Sequence, residues 1–139
     1  MTDAATLARP VIARHEGCRL KPYVDTVGKI TIGYGRNLTD RGITQGLAEL
    51  WFDEDLGACL ATLETYPWFG ALTAVRQMVL IDLVFNVGPA GFAKFVRLRK
   101  ALGAGDYHAA AAEILDSQLA PRRRAELVQW MRTGQRISI

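Results

Sequence analysis

Two cysteines and two histidines in 139 residues leave little room for several kinds of chemistry. Two thiols are too few for a disulfide scaffold, and neither Cys18 nor Cys59 stands at metal-ligand spacing from a histidine. Both read as free, largely buried thiols. A nucleophilic Cys18 would need a base, and no motif surrounds His15 or His108. The expectation is an activity with no metal and no cofactor. Long apolar runs are missing too. The longest, "MVLIDLVFNVG", contains Asp82 and is too short to span a bilayer. The first residues, "MTDAATLARPVIARHEG", lack a basic leader and are broken early by Arg9, Pro10 and Arg14, so they do not read as a signal peptide. A soluble protein made in the cytoplasm, with no stable membrane association, is expected. No repeat or low-complexity segment occurs.

What is present is ordinary for a globular chain: 50% hydrophobic and 22% charged residues. The length fits a single domain over residues 1–139, and a domain of this size buries roughly two-thirds of its unfolded surface. A net charge of +3, with a pI near 9.1, favours a polyanionic partner. Charge alone leaves nucleic acid and a bacterial wall polymer equally open.

Apolar spacing through Leu7, Val11, Ile12 and His15 predicts an amphipathic helix over residues 3–16, stopped by Gly17. Pro22 forbids its continuation. Tyr23 and Val24, a turn at Thr26-Val27-Gly28, and the run Ile30, Thr31, Ile32, Tyr34 predict a small antiparallel hairpin or three-stranded sheet ending by Leu38. Such a sheet is marginal alone and must lean on helices. "TDRGIT" reads as a loop, and Thr44 as the N-cap of a long helix to about Leu63. Leu47, Leu50, Trp51, Leu56, Cys59, Leu60 and Leu63 are its expected buried stripe. "YPWFGALT" breaks that helix, and Thr73 caps the next, which is apolar on nearly every face, as expected at the centre of a core. Gly88, Pro89 and Gly91 end it.

A short helix around Phe92–Leu102, an alanine-rich helix capped by Asp106, and a last helix from Pro121 to about Thr133 complete the chain. The class is α+β. A small sheet lobe spans about residues 17–43, and a mainly helical lobe takes about 44–139 together with the N-terminal helix. Trp51, Trp68, Phe69 and Trp130 read as core.

The stretch that carries chemistry is "RHEGCRLKPYVDTVGKITIGYGRNL", residues 14–38. It sets Glu16 at a helix end, Asp25 at a strand–turn junction and Thr31 on the returning strand. Cleaving a glycosidic bond needs one carboxyl group to protonate the leaving oxygen and a second carboxylate to activate water or stabilise the developing cation. A semi-buried place suits the acid, and a wetter, polar turn suits the second group. Glu16 and Asp25 fit that division, with the Thr31 hydroxyl available to hold water. On spacing alone, two surface carboxylates are the simpler reading.

The surrounding residues change the balance. "HEGCRLKPYVDTVGKITIGYGRNL" closely resembles the N-terminal signature of the phage-type lysozymes, glycoside hydrolase family 24. That pattern runs from a helix-terminal Glu-Gly through arginine, leucine and lysine to Tyr-x-Asp, a glycine-centred turn and Thr-Ile-Gly-x-Gly. More loosely, "RQMVLIDLVFNVGPAGFAKF" resembles the family's central helix and glycine-rich turn, and "RRRAELVQWMRTG" its last helix and Arg-Thr-Gly close.

The resemblance implies a lysozyme-like fold, with sheet and helical lobes joined by a long helix and substrate in the cleft between them. It implies that Glu16 is the general acid, Asp25 the second catalytic carboxylate and Thr31 the residue that positions water. Family members of this kind invert configuration, which sets the carboxyl groups roughly 6.5–9.5 Å apart. The implied protein is an endolysin. It would be a monomeric muramidase hydrolysing the β-1,4 bond between N-acetylmuramic acid and N-acetylglucosamine in the peptidoglycan glycan strand, leading to host cell lysis. Made in the host cytoplasm, it would reach the periplasm through a holin-type hole.

Arg36, Leu38, Phe85, Asn86 and Arg123 are the substrate-binding positions expected. Arg36 replaces a histidine of the best-known member, so it either pairs with a carboxylate or substrate group or is a solvated basic residue. Asn86 either meets an acetamido group or caps its helix. Arg123 either orients Glu16 or belongs to a solvated face with Arg122 and Arg124. The segment between Ser117 and Pro121 is shorter than in that member, which implies fewer or more open sugar subsites.

Three other readings compete. A lytic transglycosylase works with one acid and no water, and Asp25 and Thr31 beside Glu16 argue against it. A catalytically inactive wall-binding module would be expected to lose one of the three residues. A nucleic-acid partner is not expected, because no recognition motif accompanies the arginine cluster.

Overall fold

The computed structural model describes residues 2–137. By compactness the chain forms two units, one ending at Leu50 and the other beginning at Trp51. In the first, α1 spans Asp3–Glu16, and the Thr2 side chain accepts the Ala5 N–H at its start. Gly17, at φ +69°, ends it. None of its residues is buried, and Leu7 is 73% exposed. α1 groups with the sheet rather than with the later helices.

The sheet that follows is antiparallel, in the order β1 (Arg19–Val24), β2 (Ile30–Gly33), β3 (Arg36–Asn37). Tyr23 pairs with Thr31, Val24 with Ile30, Thr31 with Asn37 and Ile32 with Arg36. Because side chains alternate across a strand, Tyr23, Thr31 and Asn37 share one face. Val24, Ile30, Ile32 and Arg36 share the other. Between Arg19 and Tyr23 the register shifts by a bulge.

The expected loop after Leu38 is instead a helical turn, α2 (Leu38–Arg41). Asn37 makes it so: its Oδ1 accepts the Asp40 N–H at 3.0 Å, a side-chain cap that starts the turn. Lys29 Nζ reaches Asp40 at 3.1 Å, and Thr39 Oγ1 accepts the Ile30 N–H at 2.9 Å, so α2 is tied to β2.

α3 runs from Gln45 to Glu64, with the Leu47 N–H donating to Thr44 Oγ1 at 3.2 Å. Its expected stripe is buried only near its end, at Cys59 and Leu63. Leu50, Trp51 and Leu60 are exposed, because apolar residues occur on every face of this helix and other elements cover only part of it. Trp51 is therefore a surface residue, and so is Cys18; Cys59 is buried, and both thiols are free.

The core of the second unit is built on α4 (Ala74–Ala93), whose Val79, Leu80, Leu83 and Val84 are at most 1% exposed. Gly88, at φ +76° and ψ 167°, breaks α4, and Pro89 opens a further turn that carries the buried Phe92. The shorter helix expected from Phe92 thus starts later, as α5 (Val96–Gly103). α6 (Tyr107–Leu115) is capped by Asp106, and α7 (Pro121–Thr133) starts on its proline, as expected. Leu98, Ile114, Leu127 and Met131 close the core. Phe69 is buried, Trp68 stacks on Tyr66 with centroids 5.1 Å apart, and Trp130 packs partly buried against the core. Among the described residues no single helix is long and apolar enough to cross a membrane.

Candidate active site

Glu16 is the last residue of α1, and its carboxylate is set against the turn between β2 and β3. At Gly35 in that turn, a Cβ would lie 2.7 Å from Glu16 Oε2. Only a residue without a side chain lets the carboxylate sit there, and Gly35 also has φ +75°.

Asp25 follows β1 and begins the hairpin turn. Its backbone N–H donates to the Lys29 carbonyl at 2.9 Å. Its Oδ1 accepts the N–H of Val27 at 3.0 Å and of Lys29 at 2.8 Å. One carboxylate oxygen is thus committed to holding the turn, and the other has no protein hydrogen bond within residues 2–50. Asp25 lies one residue past β1, and its N–H on the Lys29 carbonyl extends the pairing of Tyr23 with Thr31 by that step, which sets Asp25 toward the face of the hairpin that carries Thr31. Thr31 is 4% exposed and donates its hydroxyl proton to the Lys29 carbonyl at 3.2 Å. Its oxygen is left as an acceptor on that face.

The remaining expected positions are dispersed. Arg36 pairs with Ile32, on the face opposite Thr31, and its Nε donates to the Gly42 carbonyl at 3.0 Å. Through Nε the guanidinium braces the loop around α2, and its two Nη groups make no protein hydrogen bond within residues 2–50. Leu38 is half-buried as the first residue of α2. In the second unit, Phe85 is 42% exposed and meets Phe52 edge-on, with centroids 5.6 Å apart. Both line a cavity of about 230 Å3 with Leu56, Met78, Ile81, Asp82 and Arg123. Asn86 is exposed beside it in the chain.

Arg123 Nε lies 3.0 Å from Asp82 Oδ1. The solvated-face alternative for Arg123 is thus replaced by an ion pair between α7 and α4. The contact lacks hydrogen-bond alignment, and Oδ1 is buried without an aligned donor. Burial accordingly outweighs the arginine, and Asp82 is pushed above its ordinary value, with Glu126 adding to the rise. In the sequence Asp82 stands out only as an interruption of an apolar run. The signal for more was there: a lone charge in the most apolar helix needs a partner.

Residues 13–130 match the profile of the Phage lysozyme family. The chain belongs to that family. It is 38% identical to the "Endolysin" of Acyrthosiphon pisum secondary endosymbiont phage 1 over 109 residues, which covers 76% of this chain and 73% of that protein. It is also 30% identical to the "Pre-baseplate central spike protein Gp5" of Enterobacteria phage T4 over 129 residues, covering 72% of this chain but 22% of that longer protein. The match contains Glu16, Asp25 and Thr31, and the α+β architecture is that of a lysozyme-type fold. The chain is a lysozyme-type hydrolase of the peptidoglycan-lytic, endolysin kind.

Proposed function

We propose that the protein is an inverting muramidase that hydrolyses the β-1,4 bond between N-acetylmuramic acid and N-acetylglucosamine. Glu16 protonates the glycosidic oxygen as the C1–O bond breaks. A water between Asp25 and Thr31 attacks C1 from the opposite side of the ring, and Asp25 takes its proton. The observation that carries this reading is the hydrogen bonding of Thr31. Its proton is engaged by the Lys29 carbonyl at 3.2 Å, so its oxygen accepts from the water. A water that donates one proton to Thr31 and the other to the free oxygen of Asp25 directs a lone pair outward. Val27 and Lys29, through their N–H groups on Asp25 Oδ1, hold the carboxylate for that task.

Arg36 and Leu38 in the first unit are proposed glycan contacts, and so, considered by themselves, are Phe85 and Asn86 in the second. Arg123, held through Nε by Asp82, has other N–H groups to offer to a glycan. The protein works as a monomer. Made in the host cytoplasm, it reaches the periplasm through a holin-type hole and causes lysis. The net charge of +3 favours the anionic wall.

The test is clearing of outer-membrane-permeabilised Gram-negative cells by the wild type, Glu16→Gln and Asp25→Asn, with folding followed by circular dichroism. Both variants are expected to stay folded and lose lysis. Full lysis by Glu16→Gln refutes the assignment. Product mass separates hydrolysis, which adds a water, from the anhydro product of a transglycosylase. The first-formed anomer reports inversion.

A further inference from the structure

Tyr23 stands directly across the hairpin from Thr31, so their side chains rise from the same face with Cβ atoms about 4.5–5.5 Å apart. Asp25 follows on that face two residues later. The Tyr23 ring is half-buried, and the Arg19 guanidinium lies over it, 4.2 Å from the centroid. Arg19 has no carboxylate within ion-pair distance in residues 2–50, so the ring is its evident partner there. The bulge in β1 lies between these two residues, and such irregularities re-aim side chains. A half-buried tyrosine ordinarily finds a hydrogen-bond partner for its hydroxyl. Within residues 2–50 the Tyr23 hydroxyl has none. The hydroxyl is not among the buried atoms left without a partner, so it is open to water, and the pinned ring presents an accessible donor on the face that carries Asp25 and Thr31.

We infer that Tyr23 is a substrate-binding residue whose phenol donates a hydrogen bond to an oxygen of the sugar bound over Asp25 and Thr31, and that Arg19 is the positioning residue that fixes the ring. This rests on the muramidase reading. It assigns Tyr23 to binding rather than to the bond-breaking step, since a phenol hydrogen-bonded to a sugar oxygen acts on bound substrate and transition state alike. Arg19 contributes only through the ring, because a cation over one face removes the side chain's freedom to turn away.

The experiment compares the wild type, Tyr23→Phe, Arg19→Gln and the double variant on soluble peptidoglycan fragments, with KM and kcat determined separately. Tyr23→Phe keeps the ring under Arg19, and unchanged circular dichroism and thermal midpoint verify the fold. Loss of one neutral hydrogen bond predicts a KM raised about 3- to 10-fold, with kcat within about twofold. Arg19→Gln gives a smaller rise in KM, and in the Tyr23→Phe background it adds nothing further. Isothermal titration of an N-acetylglucosamine oligomer into Glu16→Gln, with and without Tyr23→Phe, shows the same ratio in Kd. An unchanged KM and Kd in Tyr23→Phe overturns the inference, as does a multiplicative effect of the two substitutions. If wild type is active, Glu16→Gln silent and Tyr23→Phe indistinguishable from wild type, only the phenol contact falls. If wild type releases no reducing ends from peptidoglycan, the muramidase reading falls and takes the contact with it.

Discussion

The carboxylate of Glu16 occupies the space that a side chain at position 35 would take, with Oε2 2.7 Å from the position of a Cβ on Gly35. The end of α1 and the turn between β2 and β3 are thus fitted to each other through the proposed general acid. Gly35→Ala must displace that carboxylate by the better part of an ångström. A misplacement of that order is expected to lower kcat about 10²-fold. It also costs about 1–2 kcal/mol of stability, because alanine at φ +75° is strained. Gly33→Ala is the matched control. Gly33 has φ +67°, and a Cβ there meets nothing within 4 Å, so the same strain comes without the collision. Paired urea denaturation and kcat measurements should find both variants destabilised and only Gly35→Ala deprived of activity. Equal kcat in the two would show that the fit between Glu16 and the turn has no catalytic weight.

Thr31 separates the hydroxyl from the shape of the side chain. Thr31→Ser keeps the oxygen that accepts from water and is expected to retain activity within about tenfold of wild type. Thr31→Val keeps the shape and removes the oxygen, and should lose about 10²-fold in kcat or more. In Thr31→Val the Lys29 carbonyl loses the hydroxyl at 3.2 Å but keeps the Asp25 N–H at 2.9 Å, so the stability loss is at most about 1 kcal/mol. Activity of Thr31→Val equal to that of Thr31→Ser would remove Thr31 from the water site.

Local signals are legible in the chain, and contacts between distant segments are not. Thr44, Thr73 and Asp106 each accept an N–H three residues on, as their positions before apolar helices predict. The hairpin was legible because β-branched residues flank a turn that needs a glycine, and Gly28 has φ +84°. The α2 turn was missed because Asn37 resembles a strand end until its side chain is seen to cap Asp40. The exposure of Leu50 and Trp51 was missed for another reason: periodicity names a face but not how much of its length is covered. Glu16, Asp25 and Thr31 could be singled out because the motif that contains them is continuous. The Glu16–Gly35 fit and the Asp82–Arg123 pair join segments far apart in sequence, and no spacing rule reaches them.

Asp82 should leave a signature in the pH dependence of stability. Its carboxyl is pushed above the ordinary value of 3.8, chiefly by burial and against the pull of Arg123. Between 3.8 and the raised value the folded protein binds more protons at this site than the unfolded chain does. The group's contribution is therefore complete below the unfolded value and is lost as pH rises through the folded one. Asp82→Asn cannot titrate, so the stability of the variant relative to wild type should climb as pH rises above the ordinary value of 3.8 and level off above the raised one. Leaving Arg123 without its partner adds an offset but no slope, since arginine stays charged throughout. Urea denaturation at four or five pH values measures the difference. A difference independent of pH would mean that Arg123 fully compensates the burial of Asp82.

Arg76 fastens three helices at once. Its Nε donates to the Met131 carbonyl at 2.8 Å and an Nη to the Arg132 carbonyl at 3.1 Å, which satisfies two orphan acceptors at the end of α7. The guanidinium also lies 3.8 Å from the ring centroid of Tyr107 on α6. Gly134 leaves room for it: a Cβ there would stand 3.0 Å from the Arg76 Cζ, and its φ of +69° already favours glycine. Two charge-assisted bonds, partly exposed, and one stacked cation predict a loss of about 2–3 kcal/mol for Arg76→Ala. Arg76→Lys keeps the charge but not the planar fork, so it should recover less than half of that loss. Gly134→Ala should cost about 1–2 kcal/mol from the backbone alone. Combined with Arg76→Ala, which removes the crowding guanidinium, it should cost no more than the sum of the two. Thermal and urea unfolding of the four variants measure these terms, and full recovery in Arg76→Lys would show that charge at the end of α7, rather than the shape of the fork, holds the helices together.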